Sequence, residues 1–281
     1  MSRPLLAVDG DSFAHRAFHG VPGSVRRANG NPGNALTGFT NMLLRLWQAE
    51  RPRVVVVSWD TLDIPTYRHD LLPTYQSGRE FDDEIVEQLA LLPELVAATG
   101  IVCGKAAGYE ADDFLGAAAA QESARGGATL VATSDRDAFQ LASDRVTILQ
   151  PVRGVSELRR IGPLEVRERY GVDPGQVVDF IALRGDPSDR IPGARGVGEK
   201  RAAVVLGEHG SLEGAFAAGL FSAEAEALLS FRRIATFDPS APLPELIDHQ
   251  PDWAAGASAA RDLGLAQLAT RLEEAASSER R

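Results

Sequence analysis

The sequence predicts an α/β fold, a parallel doubly wound sheet followed by a mostly helical second half. Three observations predict it. Residues 5–8, 54–57, 129–132 and 146–149 are short β-rich runs with polar flanks. Apolar positions at helical spacing lie between them, and after about Gln150 the helical stretches are punctuated by Gly and Pro instead of strands. Between the first two strands, Leu36, Phe39, Leu43, Leu46 and Trp47 recur on one face, which predicts a helix over 34–50. A second helix is expected over 83–99, kinked or split by Pro93. A third starts near Glu110 and runs to about Ala124. Strands alternating with helices imply parallel pairing.

Beyond Gln150 helices are expected at 163–170, 174–183, 199–206, 211–218 and 223–234. No further strand of comparable quality follows. A last helix over 258–276 takes Ser258 as N-cap, with a frayed tail at 277–281. The chain thus divides into a sheet region, 1–150, and a helical region, 151–281. Trp47, Phe39, Leu43 and Phe114 are expected in the core, and His69, His209 and His249 at the surface or in packing.

With 281 residues, 44% hydrophobic and 24% charged, the chain is neither disordered nor collagenous. Its apolar runs are far too short for a membrane span, and the first ends in Asp9, unlike a signal peptide. Cys103 alone allows no intrachain disulfide and no cysteine zinc site. A cytoplasmic protein without a membrane partner is expected. The net charge of −10 argues at first against nucleic acid. The cations, however, are almost all Arg, and they gather at 153–169 and 190–201 while the acids lie elsewhere.

Four acids stand where a parallel sheet places a site. Asp9 ends the first strand, Asp60 follows the second, and Asp135 and Asp137 follow the third. Each by itself also reads as a helix cap or a turn former. Glu110, Asp112 and Asp113 add three more at a helix start, where the helix dipole favours acids; they repel one another unless a cation intervenes. Asp186 and Asp189 make nine. All-oxygen ligation suits Mg²⁺ or Mn²⁺, and two such ions are the usual apparatus of phosphodiester cleavage. Setting these nine acids aside leaves a charge of about −1, and two divalent ions alone bring the whole to about −6, so DNA is not excluded.

The run Ile191-Pro192-Gly193-Ala194-Arg195-Gly196-Val197-Gly198-Glu199-Lys200 leads into an apolar helix. A Gly-x-Gly turn before a helix presents backbone N–H groups to an anion, or is simply a tight turn. Its attachment to Asp186 and Asp189 favours the first, a grip on the nucleic-acid backbone that reads no bases.

With these motifs the chain resembles the bacterial 5′-nuclease family of flap endonucleases and 5′→3′ exonucleases, including the nuclease domain of polymerase I. The resemblance runs from Leu5 to about Ala218. It rests on Val8-Asp9-Gly10 with Arg16-Ala17-Phe18-His19, Trp59-Asp60, Tyr67-Arg68-His69 through Tyr75 to Arg79, Gly108-Tyr109-Glu110-Ala111-Asp112-Asp113, 133–137 with Gln140-Leu141, and 185–200. It implies a PIN-like parallel-sheet nuclease domain, a helical arch over 61–83, and a helix-hairpin-helix unit at about 183–206. By the same resemblance Asp9, Asp60, Glu110, Asp112, Asp113 and Asp135 surround one metal. Asp135, Asp137, Asp186 and Asp189 serve a second. A K⁺ on the main-chain carbonyls of Leu183, Arg184, Pro192, Ala194 and Val197 is implied too. DNA carrying 5′ flaps, nicks or single-strand/duplex junctions is the implied partner. Arg16, Arg68, Tyr75, Gln76 and Arg79 would contact it at the arch, and Arg195, Gly196, Gly198, Lys200 and Arg201 at the hairpin. The implied reaction is two-metal hydrolysis in primer removal and repair, and the end at residue 281 suggests a nuclease without a polymerase domain.

The chain departs from the family in the arch. Gln76 stands where the family has a lysine, His15 where it has a tyrosine, Arg190 where it has an asparagine, and Glu80-Phe81 where it has a proline-containing linker. Losing a cation aimed at transition-state charge costs a few kcal/mol, roughly a hundredfold in rate, unless Arg68 or Arg79 replaces it. The alternative is therefore a flap-binding or duplex-binding protein with weak or lost cleavage. A metal-dependent ribonuclease of the same sheet fold is a further rival, but it leaves the hairpin unexplained.

Overall fold

The aliphatic runs form the middle of one six-stranded sheet. In the computed structural model, which describes residues 3–61, 64–78, 81–153 and 157–279, the strands are β1 (Leu5–Asp9), β2 (Val54–Ser58), β3 (Val102–Gly104), β4 (Thr129–Ala132), β5 (Val146–Arg153) and β6 (Glu157–Ile161). Their order is β3-β2-β1-β4-β5-β6. β1 pairs in parallel with β2 from Leu5↔Val54 to Asp9↔Ser58, and with β4 from Leu5↔Thr129 to Val8↔Ala132. β5 continues the parallel set and β6 returns antiparallel. One further strand, β6, thus follows Gln150, and it is of lower quality than the first four, as expected. β6 reads Glu-Leu-Arg-Arg-Ile and is mostly exposed at the sheet edge, where polar residues discourage further pairing and leave no hydrophobic pattern to read. β3 was missed as well, because its pairing covers only three residues.

Alternation along the strands sends side chains to two different cores. Leu6, Val8, Val55 and Val57 pack with α1 (Gly10–Gly20), α2 (Asn34–Glu50), α4 (Asp83–Ala97), α11 (Trp253–Asp262) and α12 (Ala266–Glu279). Leu5, Ala7, Val54 and Val56 pack with α5 (Ala111–Ala124), α6 (Pro163–Tyr170), α7 (Val177–Arg184), α8 (Glu199–His209), α9 (Leu212–Ala217) and α10 (Ala225–Ala235). Phe39, Leu43, Trp47 and Phe114 are buried as expected. Each such side chain contributes about 1.5–3 kcal/mol. The helical second half is therefore not one layer: its last two helices cross to the opposite face.

Four features of the helices differ from expectation. α1 was not foreseen, although Asp9 caps it through Ser12 N–H at 3.0 Å and Phe13, Ala14 and Ala17 are its buried side. α4 continues through Pro93. The expected helix over 258–276 is two helices. Asp252 caps α11 by accepting from Ala255 N–H, Ser258 sits inside α11, and the chain turns at Gly264, whose φ of +76° and contact with the Ala28 backbone exclude a Cβ. In place of a frayed tail from Ser277, α12 runs to Glu279. Within the arch segment the described residues form α3 (Tyr67–Leu71) and a turn over 73–78, with Arg68 and Tyr75 buried against the protein.

Candidate active site

The strand order reverses between β1 and β4, and the carboxyl ends of β1, β2 and β4 carry the first acids. Asp9 caps α1 with one oxygen and accepts from Thr133 Oγ1 at 2.7 Å with the other. Asp60 Oδ1 accepts from Ala111 N–H at 2.7 Å, tying the end of β2 to the start of α5, and its own N–H donates to Asp11 Oδ2 at 2.8 Å. Asp135 Oδ1 accepts from Asp137 N–H at 2.8 Å. The structural reading of these acids as caps and turn formers is correct. Those same bonds hold the carboxylates at one rim.

Asp9, Asp60, Glu110, Asp112, Asp135, Asp137, Asp186 and Asp189 line a single cavity of about 850 Å³. Asp11, Ser12, His15, Phe81 and Glu199 line it too, and these five stood outside the expected set of ligands and contacts. Asp11 lies two residues from Asp9 and was legible only once α1 was known to be a helix. The lining cations are Arg136 and Arg184, and Arg184 bonds Asp186 at 3.0 Å. So much carboxylate under so little positive charge perturbs the acids. Burial, followed by repulsion from Asp60 and Asp135, raises Asp9 to about 7 despite its Thr133 and Ser12 bonds. Burial also raises Glu110 to about 7, where Arg68 opposes and Asp60 adds to the shift. Asp11, Asp112 and Asp137 are raised well above the carboxylate range, first by burial and then by neighbouring acids. Among the described residues no three acids, histidines or cysteines are grouped to hold an ion as they stand. The donor set itself, oxygen throughout and short of countercharge, fits a hard divalent cation.

Asp113 does not line the cavity. It is 0% exposed and receives four donors. Arg68 Nη1 and Nη2 donate at 2.9 and 2.7 Å, Glu110 N–H at 3.0 Å and Asp238 N–H at 2.8 Å. Its lone pairs are engaged by the fold, so this geometry does not support the place among the metal ligands that the resemblance implies for it. Arg68 is equally removed from solvent at 2% exposure and also donates to Ile234 O at 2.9 Å, so it neither touches DNA nor stands in for the arch lysine. The pair joins α3, the start of α5 and the end of α10. Tyr75 is buried, and its hydroxyl donates to Glu110 Oε2 at 2.9 Å, so it anchors the arch segment and does not offer a stacking face. Gln76 does line the cavity, and its Nε2 donates to Tyr75 Oη at 2.8 Å and to Asp189 Oδ1 at 3.2 Å. Arg79 lies outside the described residues. Arg16 donates to Pro151 O at 2.8 Å on the rim of β5.

The hairpin between α7 and α8 is pinned by Ala194 N–H to Leu183 O at 2.8 Å and by mutual bonds between Asp186 and Ile191. Gly193, at φ +74°, passes so close that a Cβ would stand 2.5 Å from Gly185 N. Arg195, Gly196, Gly198, Lys200 and Arg201 are all exposed. The cap of α8 is Gly198, which carries no side-chain bond to the first-turn N–H groups. Of the proposed K⁺ carbonyls, those of Leu183 and Ala194 each already accept one backbone bond, leaving a second lone pair apiece. His15 meets Phe81 with ring centroids 5.2 Å apart at the cavity wall. His69 packs edge-on against Tyr75, and neither it, His209 nor His249 lines the cavity.

Comparison with known proteins agrees with this fold. The model of the 5′-3′ exonuclease N-terminal resolvase-like domain matches residues 4–171, and that of the 5′-3′ exonuclease C-terminal SAM fold matches 172–249. A 5′-3′ exonuclease of Mycobacterium tuberculosis is 38% identical over 238 residues, covering 78% of this chain and 74% of its own. DNA polymerase I of the same organism is 44% identical over 210 residues, and the match covers 74% of this chain but only 23% of the polymerase. A bacteriophage T5 flap endonuclease, solved in a pseudo-enzyme-product complex with DNA and metal ions, shares the fold. Its TM-score is 0.67 at 19% identity, over 98% of this chain and 100% of that one.

Proposed function

The chain belongs to the 5′-3′ exonuclease family, and on that premise we propose that it hydrolyses DNA phosphodiesters at 5′ ends, flaps and nicks, as in primer removal and repair. The observation that carries the proposal is the convergence of ten acids from six segments of the chain on one cavity at the strand-order switch. A structural role does not require mutually repelling carboxylates to be gathered there. Asp9, Asp60, Glu110, Asp112 and Asp135 would hold one Mg²⁺ or Mn²⁺, and Asp135, Asp137, Asp186 and Asp189 a second. Bound there, the ions supply an activated water and charge stabilisation at the leaving oxygen, giving a 5′-phosphate and a 3′-hydroxyl. The protein's own part is to position and to neutralise. Thr133, Ala111 N–H and Asp137 N–H hold three of the acids in place, while Arg136 and Arg184 bring positive charge to the cavity. Arg195, Lys200 and Arg201 would hold duplex through the exposed start of α8, with K⁺ on the carbonyls at the hairpin's neck.

The test is single-turnover cleavage of a 5′-labelled flap substrate with Mg²⁺, with Mn²⁺ and with EDTA, beside Asp135→Ala. Metal-dependent cutting near the single-strand/duplex junction, abolished by the substitution, is the expected outcome. Tight flap binding without cutting in either metal would instead favour the DNA-structure binder.

A further inference from the structure

Gln76 and Arg190, two of the positions at which the chain departs from the family, lie far apart in sequence and come to one contact in the fold. The turn over 73–78 docks on the loop 186–191 that follows α7. Gln76 N–H donates to Asp189 O at 3.3 Å, and its side-chain Nε2 donates to Asp189 Oδ1 at 3.2 Å. On the outer side the Arg190 guanidinium covers Gly78, its Nη2 3.0 Å from where a Cβ at that position would stand.

Backbone conformation marks the same contact. Gln76 has φ +49° and Arg190 φ +59°. Side chains other than Gly and Asn adopt such left-handed values at a cost and keep them only where the surroundings hold them. Among the described residues four that are not glycine take them, and two of the four stand at this junction, so strain is concentrated here.

The amide of Gln76 is directed as well as docked. Its nitrogen carries two hydrogens, one for Asp189 Oδ1 and one for Tyr75 Oη at 2.8 Å. The Tyr75 hydroxyl in turn donates to Glu110 Oε2 at 2.9 Å. Hydrogen bonds therefore run from an acid proposed for the first ion to one proposed for the second. An ammonium group in this place would cancel part of the acids' charge and compete with a divalent cation. A neutral amide fixes the carboxylate and leaves its charge whole.

We infer that Gln76 is a positioning residue, a neutral strut anchored on Tyr75 and Glu110 that holds Asp189 in place for a divalent ion, with Arg190 clasping the turn to the loop. This rests on the nuclease reading and deepens it: the position that the family gives to a cation here serves a metal ligand.

The test is calorimetric titration of the full chain with Mn²⁺ in the absence of DNA. Gln76→Met keeps the length of the side chain and removes the amide. It is expected to weaken Mn²⁺ binding at one site about tenfold. The other site should be unchanged, because Tyr75 keeps its bond to Glu110. In an Asp189→Ala background the same substitution should add no further loss. A lower melting temperature with both affinities unchanged, or an equal loss in the Asp189→Ala background, overturns the strut. Amide exchange in EDTA reads the clasp separately. Residues 74–78 are expected to be protected in the wild type and to exchange faster in Arg190→Asn, a substitution that suits left-handed backbone and so keeps the fold. An unprotected turn in the wild type overturns the clasp. A wild type that binds no Mn²⁺ overturns the nuclease reading, whereas two bound ions that Gln76→Met leaves unchanged overturn the strut alone.

Discussion

Asp113 shows how far one residue's environment decides its role. In sequence it is the third acid of a cluster; in the structure it is a fully buried acceptor for Arg68, Glu110 N–H and Asp238 N–H. Arg68→Met leaves that carboxylate unpaired, and denaturant unfolding should show a loss of about 3–5 kcal/mol. Asp113→Asn should lower stability too but leave the number and affinity of bound Mn²⁺ ions unchanged by calorimetric titration, whereas Asp135→Asn should weaken them. Mn²⁺ affinity lost equally in both would return Asp113 to the ligands. Gln76 is the other residue whose role is open to direct test. Its amide bonds Tyr75 and Asp189. Gln76→Lys places a cation beside the acids, and an increase in single-turnover flap cleavage of up to roughly a hundredfold is expected. An unchanged rate means that the missing lysine is immaterial here.

At the scale of elements, the hairpin and the C-terminal helix pair carry the sharpest constraints. Gly193 has a left-handed backbone and packs against Gly185. Gly193→Ala should cost about 1–3 kcal/mol and loosen the attachment of the start of α8 to α7, measurable as weaker duplex binding along with a lower melting temperature. The α11–α12 pair is fastened by Trp253, 1% exposed and edge-on to Trp47 with ring centroids 5.5 Å apart. The segment leading into it is tied to the sheet by Arg53, which bonds Asp248 at 2.9 Å, Leu246 O and buried Glu122. Trp253→Ala should cost about 3–5 kcal/mol by chemical unfolding.

For the whole molecule the concentration of acids at one rim governs stability as a function of pH. Asp9 and Glu110 are raised to about 7 by burial before any other cause. An acid whose pKa is raised in the fold stabilises it below the ordinary carboxylate pKa, and that contribution is lost as pH rises through about 7. Thermal unfolding in EDTA should therefore show a melting temperature that falls between about pH 5 and about pH 8, with a flatter profile in Asp9→Asn. Divalent ions compete with those protons, so Mg²⁺ should raise the melting temperature most at the alkaline end. A profile that is flat in EDTA would show that these acids are ionised throughout.

Much of this molecule was determined by the sequence alone, because the signals are local. Aliphatic runs at 5–8, 54–57, 129–132 and 146–149 can be buried only as strands with both faces covered. An acid at the end of each of the first three then falls on one rim by the geometry of a parallel sheet. β6 and the break at Gly264 left no such trace, since an edge strand is polar and a helix pair has the same period as one long helix. What only the tertiary structure decided is which charges meet. Asp11 joins the cavity because α1 starts at once after β1, and Asp113 leaves it because Arg68 arrives from α3. Charge acts through space and not along the chain, so these roles exist only once packing has set the distances.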